Sequence, residues 1–182
     1  MTYAGGELDD RVAEAARDLV ALLRRTGASL ASAESLTGGL LGATITAVPG
    51  ASHVYRGGVI AYATEVKHEL LGVDAGLLRR VGAVDPQVAS AMAVGVRQRL
   101  GADYGLATTG VAGPESQDGK SPGTVWLGIA TGRQTLSTDL CALGGRSDVR
   151  RAAVLHALNQ LLAVLRGDAG PSGSAGERTR IG

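Results

Sequence analysis

A short strand running directly into a helix constrains this chain most. Ala28 to Ala33 is a run of small and apolar residues, and Leu40 to Val48 carries a small-residue helical pattern. Only the turn Glu34-Ser35-Leu36-Thr37-Gly38-Gly39 separates them. A serine, a threonine and two glycines at such a turn bring side-chain hydroxyls and backbone N–H groups to one point. The positive end of the following helix dipole favours an anion or a developing oxyanion there. Steric needs alone also produce strand–Ser–Gly–Gly–helix turns in many α/β proteins, so the segment by itself fixes an architecture rather than an activity.

The rest of the chain repeats the alternation. Leu8 to Arg25 reads as a helix, with Val12, Ala15, Leu19, Leu22 and Leu23 near the helical period and Gly27 as its stop. Ser29 to Ala33 is the short strand. Pro49-Gly50 ends the second helix, and Gly58 to Tyr62 reads as the next strand. Thr64 is expected to cap a short helix ending near Gly72, and Asp74 to Val81 forms another. Asp85-Pro86 opens the clearest helix, with an N-cap, a proline at the first helical position and Gly101 past its end. Tyr104 to Thr109 reads as a strand, followed by a polar loop from Gly110 to Gly123. Thr124–Ala130 and Gln134–Leu140 form a hairpin around Thr131-Gly132-Arg133. Ser147-Asp148 caps a last helix running to about Leu165. From Gly167 to Gly182 the chain is rich in Gly, Ser, Pro and Arg without apolar periodicity, so residues 167–182 are expected to be a disordered tail beyond a single domain of residues 1–166. Alternating strands and helices with one hairpin predict an α/β fold, a three-layer α/β/α sandwich with a mixed central sheet.

Composition narrows the function. The chain has 182 residues, 45% of them hydrophobic, enough for a sizeable core. Phenylalanine is absent and glycines number 28, so the core is built from Ala, Val, Leu and Ile. A net charge of +1 without a basic stripe, and few aromatics for stacking, argue against nucleic-acid binding. No apolar run approaches the ~20 residues that span a membrane. The single cysteine, Cys141, excludes an intramolecular disulfide and fits a cytoplasmic protein. Its context, Leu140-Cys141-Ala142-Leu143, reads as buried packing.

Three segments concentrate chemistry just after strands, where ligand sites of open α/β sheets gather. They are Ser35 with Thr37-Gly38-Gly39, Tyr62 with Lys67, and Thr108 to Pro114. A serine needs a base to become a nucleophile, and a lysine serves if a dry site lowers its pKa. Lys67 and Lys120 are the only lysines, and arginine cannot deprotonate usefully. The plainer reading of Lys67 is a solvated helix residue paired with Glu65 or Glu69. Arg146 or Arg150, near the start of the last helix, is a candidate phosphate holder. His53, His68 and His156 form no metal signature, and the loop after Gly110 lacks the Gly-Lys-Ser/Thr of a P-loop.

Four blocks carry a resemblance. They are Ala33 to Gly39; Gly57 to Tyr62 with Lys67 and Leu70-Leu71-Gly72-Val73; Gly82-Ala83-Val84; and Thr109 to Pro114 followed by Gly123-Thr124-Val125-Trp126. In this order they resemble the C-terminal domain of CinA, the competence/damage-inducible protein, and its stand-alone relatives, the nicotinamide-nucleotide amidohydrolases or NMN deamidases. The resemblance runs from about Leu8 to Leu165. It implies hydrolysis of the carboxamide of nicotinamide mononucleotide (NMN) to nicotinate mononucleotide and ammonia, with no metal or organic cofactor. It implies functional roles for Ser35, Ser52, Tyr62, Lys67 and Thr109. Ser35 is then the nucleophile, with Ser52 as the alternative, and Lys67 the base helped by Tyr62. Ser52 and Thr109 orient the amide or the Ser–Lys pair. Backbone N–H groups near Gly38, or around Gly110 to Gly113, stabilise the oxyanion, and Thr37, Gly38 and Gly39 count among the substrate-binding residues. The loop after Gly110 and Arg146 hold the phosphate. The sequence departs from the family at Leu36, where cysteine is common, at Glu115-Ser116-Gln117-Asp118, which replaces a glycine-rich stretch, and at Lys120-Ser121-Pro122-Gly123. The N-terminal molybdopterin-binding-like domain of long members, and its pyrophosphatase activity, are not expected. A noncatalytic nucleotide-binding or partner-docking module is the rival reading, and association into a homo-oligomer is left open.

Overall fold

A computed structural model describes residues 5–167 and 180–181. Helix α1 (Gly5–Thr26) leads into β1 (Leu30–Glu34), α2 (Leu40–Thr46) and β2 (Tyr55–Ile60). Three helices follow, α3 (Thr64–Leu71), α4 (Ala75–Val81) and α5 (Pro86–Leu100). The chain then forms β3 (Tyr104–Gly110), β4 (Thr124–Ala130), β5 (Thr135–Ala142), α6 (Arg146–Arg166) and a two-residue β6 (Arg180–Ile181). The strands lie in the order β2-β1-β3-β4-β5-β6. β2, β1 and β3 are parallel, β4 and β5 antiparallel to their predecessors, so the sheet is mixed.

The period of two along each strand explains the layers. On one face Leu30, Leu106, Leu127, Ile129 and Leu140 pack against α1, α2 and α6. On the other face Ala31, Ala33, Ala107 and Ala130 join a second core with α3, α4 and α5. That second face is floored with small residues because α5 lies very close to the sheet. A Cβ on Gly105 would overlap the Ala93 carbonyl oxygen, and one on Gly128 the Ala89 carbonyl oxygen. The glycines and alanines of this sheet face are therefore a packing requirement of the contact with α5. The three-layer sandwich matches the sequence expectation.

Several boundaries differ. β2 occupies 55–60 rather than 58–62, because its register is set by pairing Leu30 with Tyr55 and Glu34 with Ile60. Its alternating half-exposed pattern hides the first turn of the strand from a hydrophobicity reading. Ala63, not Thr64, is the N-cap of α3, and no side chain caps it. α6 starts two residues earlier than a Ser147 cap would give, with Gly145 as its N-cap and Asp148 in its first turn accepting from the Gly145 N–H at 3.0 Å. Asp85 does cap α5, accepting from the Gln87 N–H at 2.8 Å. Cys141 is exposed rather than buried. Leu140 and Ala142 take the inward positions of β5, so the residue between them must face outward. Of the tail beyond Gly167, residues 168–179 and 182 lie outside the described residues. Arg180 and Ile181, where no ordered element was expected, pair in parallel with Cys141 and Ala142.

The chain reverses its direction of winding at β1. It passes through α2 on one face to reach β2, then through α3, α4 and α5 on the other face to reach β3, which lies on the opposite side of β1. The carboxyl ends of β1 and β3 flank the crevice that such a reversal leaves open. No helix among the described residues is long and apolar enough to cross a membrane.

Candidate active site

Glu34 pairs with Thr108 and with Ile60, so Ser35, Thr109 and Ala61-Tyr62 emerge side by side at one edge of the sheet. Ser35 continues the odd-numbered register of Ala31 and Ala33 towards the face that carries α3. Its N–H donates to the Thr108 carbonyl at 2.9 Å, which extends the β1–β3 ladder by one residue. From the first turns of α3, Lys67 reaches this point. Its Nζ donates to Ser35 Oγ at 3.0 Å and to the Ala61 carbonyl at 2.8 Å.

Lys67 is 1% exposed and Ser35 is 8% exposed, so the pair is dry. Burial disfavours the ammonium and lowers the Lys67 pKa from 10.5 to about 8, against the charges of Glu65 and Asp118, which raise it. A solvated lysine paired with Glu65 or Glu69 is thus not what the fold builds. At neutral pH a small fraction of Lys67 is free base beside a hydroxyl, the arrangement that activates a serine.

A cleft of about 400 Å³ opens over the pair. Ser35, Tyr62, Thr109, Gly110, Gly113 and Arg146 all line it. Arg146 closes one side, donating to the Gly113 carbonyl at 3.0 Å and to the Tyr62 hydroxyl at 2.6 Å. These bonds leave guanidinium donors over for an anion. Thr109 is buried and donates to the Ala83 carbonyl at 2.7 Å, so it ties β3 to the 82–84 segment. Tyr62 is 58% exposed, and its hydroxyl is engaged by Arg146. The structure gives it no bond to Lys67, and it stands as a wall of the cleft.

Other expected site residues are placed elsewhere. Ser52 is exposed in the 3-10 turn before β2, at the amino end of the parallel strands, and lines a separate depression with Pro49 and Tyr55. Within one chain it is at the wrong end of the sheet to attack anything held at Ser35. Thr37 is buried and bonds the Thr108 hydroxyl at 2.8 Å. The Gly38 N–H donates to the Ser35 carbonyl at 3.0 Å. The Gly39 N–H donates to Glu34 Oε2 at 2.9 Å.

Glu34 is the residue that sequence reasoning missed. Its buried carboxylate also accepts from the Leu41 N–H at 3.0 Å and the Gly42 N–H at 2.8 Å. The start of α2 is therefore already occupied by the protein's own anion, and a ligand phosphate has no place there. The sequence pattern ends the strand at Ala33 and puts Glu34 in the turn, whereas the structure makes it the buried last residue of β1, where a carboxylate needs donors. Arg150 is structural as well, donating to the carbonyls of Leu36 at 3.1 Å and Thr37 at 2.6 Å. Among the described residues no cluster of His, Cys, Asp and Glu is arranged to hold a metal.

The matched family follows this geometry. The model of the CinA C-terminal domain matches residues 12–165. The chain belongs to the CinA C-terminal domain family. A CinA-like protein of Frankia casuarinae is 51% identical over 149 residues, which is 82% of this chain and 34% of that protein. One from Parasynechococcus marenigrum is 46% identical over 159 residues, 86% of this chain and 37% of that protein. The chain thus spans about a third of the length of these curated CinA relatives. Solved structures match over nearly their whole length. A CinA superfamily protein from Escherichia coli has a TM-score of 0.83 at 32% identity, covering 90% of this chain and 94% of its own. A competence/damage-inducible protein from Agrobacterium tumefaciens has a TM-score of 0.81 at 32% identity, covering 91% and 99%.

Proposed function

We propose that this CinA-family domain is an amidohydrolase that converts nicotinamide mononucleotide to nicotinate mononucleotide and ammonia by a Ser–Lys mechanism. The observation that carries the reading is the dry 3.0 Å contact between Lys67 Nζ and Ser35 Oγ under an open cleft. Neutral Lys67 takes the Ser35 proton as Oγ attacks the carboxamide carbon. The resulting ammonium returns the proton to the nitrogen, and ammonia leaves from the tetrahedral intermediate. Water then attacks the acyl-serine with Lys67 again as base, which frees the carboxylate.

Of the two donor sets expected for the oxyanion, the N–H groups of Gly38 and Gly39 are engaged within the protein, which favours the loop Gly110 to Gly113. The N–H groups of Leu36, Ala112 and Gly113 donate no hydrogen bond among the described residues. All three residues line the cleft. The group next to the nucleophile and those on the facing loop are the ones left for a developing negative charge. Arg146 is exposed and lines the cleft, which supports it as the cation for the ribose phosphate.

The experiment is ammonia release from NMN by the purified protein. Ser35→Ala and Lys67→Arg are each expected to reduce turnover by roughly 10²-fold or more, since arginine keeps the charge but cannot accept the proton. Full activity in Lys67→Arg removes Lys67 as base. Binding of NMN without hydrolysis by the wild type favours the noncatalytic nucleotide-binding module.

A further inference from the structure

The segment Glu115 to Lys120 forms a small device against the cleft, which Glu115, Ser116 and Gln117 line. Gln117 and Lys120 exchange both backbone hydrogen bonds, at 3.1 and 2.8 Å. Asp118 and Gly119 fill the turn between them with φ of +50° and +71°. That is the mirror-image turn that an Asp-Gly pair favours. The turn sends the Asp118 carboxylate back to the wall of the site, where Oδ2 accepts from the Ala83 N–H at 2.9 Å. The Ala83 carbonyl in turn accepts from Thr109. Ala83 is therefore clamped between β3 and the hairpin. Gly82 makes room for the clamp, because a Cβ there would stand 2.6 Å from Asp118 Oδ2.

We propose that Asp118 is a positioning residue of this site: its carboxylate latches the 115–120 hairpin onto Gly82-Ala83 and holds a negative charge within electrostatic reach of Lys67. The latch keeps Pro114 to Gln117 in place as the outer wall of the cleft. This rests on the amidohydrolase reading for its catalytic meaning, though not for its geometry. Glu65, on the same helix as Lys67, is the other charge that favours the ammonium. Arg146 and Glu115 line the same cleft, but Glu65 and Asp118 are the charges that act on Lys67. α5, packed on α3, contributes the apolar Val88, Met92 and Val96 to the shared core, and Arg79 and Arg80 of α4 are exposed. Glu34 points to the opposite face, into the start of α2.

Asparagine at 118 separates the two effects. It keeps an oxygen for the Ala83 N–H and suits the same turn, but carries no charge. Alanine removes both. Because the chain has only two lysines, Lys67 and Lys120, selective ¹³Cε-lysine labelling gives two resonances whose titration is followed by NMR without substrate. In Asp118→Asn the Lys67 titration is expected to move to lower pH by on the order of half a unit, since the carboxylate is exposed and forms no direct ion pair. The rising limb of the pH–rate profile for NMN is expected to move with it. In Asp118→Ala the same shift appears, exchange of the Ala83 amide proton accelerates by tenfold or more, and KM exceeds that of Asp118→Asn. An unmoved Lys67 titration in Asp118→Asn, or unchanged Ala83 exchange in Asp118→Ala, overturns the proposal. Both readouts are free of substrate. A shifted Lys67 resonance in a protein that never releases ammonia would leave the latch standing and sink the amidohydrolase instead.

Discussion

Replacing Glu34 by alanine removes the acceptor for three backbone N–H groups at once, those of Gly39, Leu41 and Gly42. A hydrogen bond to a charged group is worth about 1.5–3 kcal/mol, and a buried donor left without a partner costs about 1–3 kcal/mol. The Leu41 N–H is buried, whereas those of Gly39 and Gly42 are half-buried and regain water. The full cost therefore falls on one donor and a reduced cost on two, which gives about 3–4 kcal/mol for Glu34→Ala. For a chain of this length each kcal/mol lowers Tm by about 2–4 °C, so the drop is roughly 6–16 °C. Glu34→Gln is expected to fall between the wild type and alanine, because one oxygen survives while the new NH₂ group faces a donor. Urea unfolding monitored by circular dichroism gives the free energies. Ammonia release gives the consequence for Ser35, whose turn hangs on the same carboxylate. A loss below about 1 kcal/mol in Glu34→Ala would show that the turn is held by its other contacts, including Arg150, and that the cap is incidental.

Two further outcomes follow from burial. Because the Lys67 pKa is lowered to about 8 in the folded state, the unfolded chain binds more protons between pH 8 and 10.5. Stability therefore rises with pH across that window, by up to about 3 kcal/mol, relative to a Lys67→Met variant that has no such proton to lose. Parallel urea titrations of the two proteins at pH 7.5 and 10 measure this, and equal pH dependence would contradict it. Gly95→Ala is expected to cost roughly 3 kcal/mol or more, read as lost Tm or lost soluble yield. Its Cβ would overlap the Leu71 carbonyl oxygen, and a backbone group cannot swing aside as a side chain does.

Local signals made much of the fold legible in the sequence. The Asp85-Pro86 cap and Gly101 stop of α5 were visible because capping is decided within a few residues. The serine turn between β1 and α2 and the hairpin around Thr131 were visible for the same reason. The start of β2 was not, because an edge strand with glycines and an exposed arginine has no strong alternation to read. Cys141 was misjudged because a local apolar context does not say which face of a strand a residue occupies.

The sequence by itself determined the alternating order of elements, the small-residue core and the set Ser35, Lys67 and Thr109 at strand ends. Tertiary structure alone decided which of the candidates meet. Parallel pairing of β1 with β2 and β3 brings the ends of distant segments to one edge, and it sends Ser52 to the opposite end. It also decided what the polar groups are for. The N–H groups at the start of α2 looked free for a ligand in the sequence, yet Glu34 folds back onto them. Arg150 and Thr109 likewise spend donors within the protein, and the Thr37 hydroxyl is paired with that of Thr108. Donors and acceptors are assigned by which partner lies within about 3 Å, and that distance is set by packing between elements far apart in the chain. The Lys67 pKa has the same origin: it is lowered by the burial that α3 acquires against the rest of the fold, which no run of residues around position 67 records.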